Sequence, residues 1–283
     1  YRSEIECFPQ QFPDTATMAE TAFAHHAKSR RLICLAAWGL LAACGGGGGT
    51  PGSTTSISAQ TVPFPINFSI RNLVTNGYSS TVSVGGNING VFVSGSGSSN
   101  WARGVSSTFE GKPSFDAVVT DNVTVTAASV TQFLPSTMHQ HFSITYEPLG
   151  KVNADSAEYT VVTSFSGWPT AAKVGDSGAL GEATVFSDSS KRTVVGKEQF
   201  SYTVEADTVN LNSAIFVLVS VRTDNISNGV LKTFARYRVT TSGGVSPVST
   251  RSITDELGLH ADLTLTVTSV GQPPVTTPTG LTM

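Results

Sequence analysis

The 283-residue chain has little cysteine, little charge and no long apolar run. Its three cysteines, Cys7, Cys34 and Cys44, all lie before residue 45, so the region beyond them can form no disulfide and a buried core must hold it together. Charged residues make up 13% of the chain and the net charge is −3, with no basic stripe. Nucleic acid is therefore not an expected partner. The apolar stretch from Leu32 to Ala43 is twelve residues long, against the roughly 20 that a helix needs to cross a bilayer. No amphipathic helix is expected between residues 61 and 271. There is no G-x-S-x-G nucleophile elbow, and "SGSGSSN" at 94–100 lacks the Lys and the following helix of a phosphate loop.

What is present starts with an address. Lys28, Arg30 and Arg31 precede the short apolar run, and Leu41-Ala42-Ala43-Cys44 closes it before five glycines. A basic cluster, an apolar stretch and small residues describe an export signal. The last four residues resemble the lipobox of bacterial lipoproteins. By that resemblance Cys44 is acylated and becomes the first residue of the mature protein. Lipoproteins with Asp after the lipidated Cys stay at the inner membrane. Gly45 stands there instead, which implies sorting to the outer membrane, facing the periplasm or the cell surface. Residues 1–17 fit no part of a signal and read as an upstream extension ahead of Met18, with the signal over 18–43.

Residues 44–60, rich in Gly, Ser and Thr, read as a tether with a root-mean-square reach of roughly 20–24 Å. Removing the first 43 residues takes away four charges of each sign and leaves the net charge at −3. The remainder is rich in Ser, Thr, Gly and Val, which suits extended strands with tight turns. Alternation recurs at Phe64, Ile66, Phe68 and Ile70, then at Tyr78, Val82 and Val84, at Phe115, Ala117 and Val119, and at Phe142, Ile144 and Tyr146. Ala214 to Val219 is an unbroken apolar segment, as expected of a strand covered on both faces. "VLKTFARYRVT" follows the Asn228-Gly229 turn, and Leu263, Leu265 and Val267 mark a last strand. The pattern predicts an all-β, antiparallel fold. It can be two sandwich-like units, 61–149 and 150–271, or one extended sandwich or half-barrel. Residues 272–283 read as a disordered Pro/Thr tail. The series "NGYSSTVSV", "FEGKPSF", "YEPLG", "FSYTVEAD" and "RYRV" also resembles exported lipoproteins of β-proteobacteria, a likeness that implies a location and brings no catalytic residue.

Candidate chemistry is sparse. "GDSG" at 175–178 resembles the nucleophile loop of chymotrypsin-like proteases, but Ala179 follows where that family has Gly, and no matching His context exists. It reads as a turn. His139 and His141 share one strand face and could take Zn²⁺ or Cu²⁺ if a third ligand arrived; the bland reading is a solvated polar face. Arg236 and Arg238 flank an inward Tyr237, either as a grip for a carboxylate or as a charged outer face. Trp101 and Trp168 lie beside chain breakers, where they either stack on a sugar or plug the end of a sheet. No catalytic constellation, metal or cofactor is expected. The reading is a lipid-anchored module of the cell envelope, non-enzymatic, meeting another envelope protein or a glycan. The alternatives are an envelope-polymer hydrolase and a carrier of an apolar ligand.

Overall fold

The computed structural model describes residues 62–256 and 258–271. Cys44, the signal, the tether and the Pro/Thr tail lie outside them. Among the described residues one helix, α1 (Ile66–Asn76), precedes thirteen strands: β1 (Tyr78–Ile88), β2 (Val91–Trp101), β3 (Val105–Phe109), β4 (Lys112–Ala127), β5 (Val130–Ser143), β6 (Pro148–Asn153), β7 (Tyr159–Phe165), β8 (Ser177–Phe186), β9 (Val194–Ala206), β10 (Ser213–Asp224), β11 (Val230–Thr240), β12 (Val245–Glu256) and β13 (Leu259–Gly271). All the pairings between strands are antiparallel.

The sheet closes. β1 pairs with β13, and β2 pairs with both β1 and β4, so twelve strands form a barrel and β3 extends the line of β2 beyond the ring. The antiparallel all-β expectation is met, but the sandwich or half-barrel becomes a closed barrel. Closure removes the exposed edges that an open sheet of this size would leave. Both stretches drawn from the sequence, 61–149 and 150–271, contribute strands to this one ring, and residues 149 and 150 lie within β6.

Alternation places one residue set inside. Val82, Val84, Trp101, Ala117, Val119, Phe142, Phe200, Phe216, Leu218 and Tyr237 belong to a single buried cluster. Ala214 to Leu218 are buried at every position, as the unbroken apolar segment predicts. The outward members Ile215 and Val217 pack with Val248, Val219 and Phe234 on the other side of the wall.

Two expectations fail. Phe64 to Ile70 is not a strand: residues 66–76 are α1, with Ile66, Ile70, Leu73 and Val74 buried at helical spacing and Phe68 exposed. The alternation of Phe64, Ile66, Phe68 and Ile70 overlaps a helical stripe that only Leu73 and Val74 reveal. Ile144 and Tyr146 do not continue β5. They lie in the turn before β6, with Ile144 exposed and Tyr146 at φ +66°.

α1 plugs one end of the barrel. Its buried stripe joins the lumen cluster, and the loops of that rim hold it: Asn67 N–H donates to the Pro169 carbonyl, Asn72 Nδ2 donates to the Gly243 carbonyl, and Val74 C=O accepts from Gly104 N–H. Two glycines permit the fit. Gly77 ends the helix at φ +65°, where a Cβ would stand 2.2 Å from the Trp101 carbonyl oxygen; at Gly243, φ +80°, a Cβ would stand 2.1 Å from the Phe68 ring.

Candidate functional site

The residues singled out from sequence fall at scattered places. His139 and His141 do share a face, opposite Phe142, but they differ in surroundings. His139 is half-exposed, and its Nδ1 lies 2.9 Å from Asp116 Oδ2. His141 is covered by Phe109 of β3, ring centroids 4.4 Å apart, and Phe109 stacks on Tyr159 at 5.2 Å on its other side. Burial holds His141 below the usual imidazole range, with the Asp116 charge opposing and the His139 charge assisting. The β3–β4 tip is thus clipped to the outside of the wall, where Glu110 accepts from Tyr159 Oη at 2.7 Å and pairs with Lys191. Among the described residues no three His, Cys, Asp or Glu side chains gather into a metal set.

Arg236 and Arg238 point outward while Tyr237 is buried, and each already holds a carboxylate of the chain. Arg236 Nη1 lies 2.8 Å from Glu205 Oε2, and Arg238 binds Asp207 through Nε and Nη2. Burial would raise the Asp207 carboxyl, but Arg238, Ser213 and the amides of Val209 and Asn210 overcome this and bring it down to about 2. These arginines brace the wall through ion pairs. Trp101 is 3% exposed and lies inside the barrel, its ring 6.2 Å from Phe142. Trp168 is part-buried under α1, with Nε1 donating to the Tyr146 carbonyl. Both tryptophans fit the plugging reading. Gly175 and Asp176 lead into β8, with Asp176 Oδ2 accepting from Lys173 N–H, while Ser177 and Gly178 already belong to the strand, so "GDSG" is the end of a turn running into β8.

Two polar sets that sequence reading passed over stand inside the barrel. Near the rim away from α1, Glu198 Oε1 accepts from Ser220 Oγ at 2.5 Å, and Lys151 Nζ lies 3.0 Å from Glu198 Oε2. Arg222 makes a two-pronged bond to Glu158, at 3.0 and 2.7 Å, and reaches Asp224. Burial lowers Lys151, and Glu198 opposes that shift. Burial would also lower Arg222, but Glu158 outweighs it and raises the group. A cavity of about 40 Å³ opens beside Arg222, Asp224 and Glu256. Nearer α1, Ser80, Ser99, Asp121 and Ser136 form one inward cross-strand row over β1, β2, β4 and β5, each 3% exposed or less.

A signal for both sets exists in the sequence. Asp121 shares parity with Val119, Val123 and Val125, Arg222 with Phe216 and Leu218, and Glu198 with Phe200 and Val204. A charge on the apolar parity of a strand is a buried charge.

An open depression of about 570 Å³ lies over the irregular pairing of β7 with β8, beside Ser164, Glu182, Gln199 and Ser201. Gln199 Nε2 donates to Glu182 there. No known family model matches the chain, nor does any curated protein or solved structure.

Proposed function

We propose that the protein is a lipid-anchored lipoprotein of the outer membrane whose barrel is a non-enzymatic binding or structural module of the cell envelope. The observation that carries this reading is the direction of the wall. Its outward positions on β1 and β2 are Ser79, Thr81, Ser83, Gly85 and Asn87, then Phe92, Ser94, Ser96, Ser98 and Asn100, so that Phe92 is the one large apolar side chain outside on these two strands; a second outward apolar group, Ile215, Val217 and Val248, lies on β10 and β12, while most valines and aromatics of β1, β2, β4 and β5 face the lumen. A barrel that spans a bilayer shows the reverse, an apolar band outside. This wall suits water, and a barrel so built needs a separate means of membrane attachment. Cys44 would supply it, joined to the plugged rim through the tether that ends before Val62. Stable anchoring takes two or more acyl chains, at roughly 0.8 kcal/mol per buried CH₂.

The space beneath α1 favours this reading over the carrier alternative. The cavity beneath α1, about 30 Å³, has room for water but not for an acyl chain. The proposed partner is an envelope protein or a glycan that meets the outer wall or the loops. Cys44→Ala tests the anchor: the variant should lose lipid labelling and leave the membrane fraction. Unchanged labelling and fractionation would defeat the reading.

A further inference from the structure

We propose that Tyr78, Trp101, Asp121 and Ser136 line an internal site for a small amphiprotic guest, ordered water, enclosed beneath the α1 plug. Trp101 Nε1, Asp121 Oδ2 and Ser136 Oγ are buried polar atoms without a protein partner, and the Tyr78 hydroxyl, buried beside them, meets Ser99 only outside good hydrogen-bond geometry. They belong to two adjacent inward rows. Ser99, Asp121 and Ser136 pair directly across β2, β4 and β5, and Tyr78 pairs with Trp101 one row nearer the plug. Ser99 Oγ donates to Asp121 Oδ1 at 2.6 Å, which satisfies one carboxyl oxygen and leaves the other. The Tyr78 hydroxyl lies near enough to Ser99 and Asp121 to feel both, and its ring centroid stands 6.1 Å from that of Trp101.

The chemistry of the orphans selects the guest. Trp101 offers only a donor, so the guest must accept. Ser136 and Tyr78 can do either. Asp121 Oδ2 accepts when ionised and donates or accepts when protonated. An ammonium ion cannot accept from Trp101, and an anion is disfavoured beside Asp121. A molecule that both donates and accepts fits; of the four residues Trp101 also walls the cavity of about 30 Å³ under Ile70 and Leu73, a volume that suits water. Burial pushes the Asp121 carboxyl up to about 7, so near neutrality it offers a hydroxyl as well as an oxygen.

The site can be tested by the sign of a stability change. A buried hydroxyl that bonds to nothing is a desolvation cost, and its removal is neutral or stabilising; one that holds a guest loses a bond. Tyr78→Phe and Ser136→Ala remove only an oxygen each. In the purified full-length protein both variants should lower Tm, and their double variant should depart from the sum of the two. High-resolution diffraction should show an ordered water within hydrogen-bond reach of Trp101 Nε1 or Asp121 Oδ2. Neutral or raised Tm in both variants, or an empty site in the diffraction map, would overturn the proposal.

Discussion

The two polar sets inside the barrel occupy opposite ends and solve burial differently. Lys151, Glu198, Arg222 and Glu158 are charges of both signs bonded to one another. Among the described residues Asp121 has no cation paired with it; Ser99 donates to it and the Tyr78 phenol lies near. The first set can give each charge a counter-charge, although burying such pairs gives little net stability. The second cannot, so its acid carries the proton instead. One end of the lumen behaves as a rigid tie between β6, β9 and β10. The other holds a titrating carboxyl in a row of hydroxyls.

Breaking the tie should give the largest effect. Glu198→Ala leaves Lys151 buried without its carboxylate and removes the acceptor of Ser220. We expect a loss of about 3–5 kcal/mol in urea unfolding. A loss below 1 kcal/mol would mean that the two ends do not differ in this way.

Asp121 sharpens the contrast through pH. Its folded value, about 7, lies above the 3.8 of an unperturbed carboxyl, so the folded state binds the proton more tightly than the unfolded state. Its contribution therefore favours folding at low pH and is lost as pH rises from about 4 to about 7. Asp121→Asn keeps an acceptor for Ser99 and removes the titration. Thermal melts of the variant should lack the part of the wild-type decline that falls in that window; an identical pH profile would refute the assignment. Asp207 runs the other way. Its folded value of about 2 lies below 3.8, so its contribution is present above pH 4 and disappears as pH falls toward 2.

The smallest effect belongs to the outer wall. Arg236 and Glu205 are each 39% exposed, and Arg236→Ala should cost about 0–1 kcal/mol and even less in high salt. A change as large as that of Glu198→Ala would make the outer pair part of the core.

Sequence pattern carried the local facts and missed the global one. The double burial of β10, the outward Arg236 and Arg238 around Tyr237, and the shared face of His139 and His141 follow from period two alone. Closure does not, because the β2–β4 and β1–β13 pairings depend on contacts that no local window contains. β12 was obscure for another reason: its buried positions include Pro247, Thr250 and Thr254, which read as a loop. α1 was lost because a helical stripe and an alternating one coincide over Ile66 and Ile70. The internal polar sets are legible in principle, as charges on an apolar parity, but the Asp121-Asn122 pair resembles a turn signal although β4 runs straight through it.

The described chain enters the barrel at Phe64, bridged to Ala172, and leaves it at Gly271, beside Ser79. Both points belong to the rim that α1 closes. The opposite rim carries short turns, among them Asn89-Gly90, Ala128-Ser129 and 225–229, which hold neither the plug nor a chain end. Extra residues there need not disturb strand register or the helix seat. That rim is where an affinity tag, a fluorophore or a foreign epitope can be inserted with the least strain, and where natural variants of this fold have most room to lengthen.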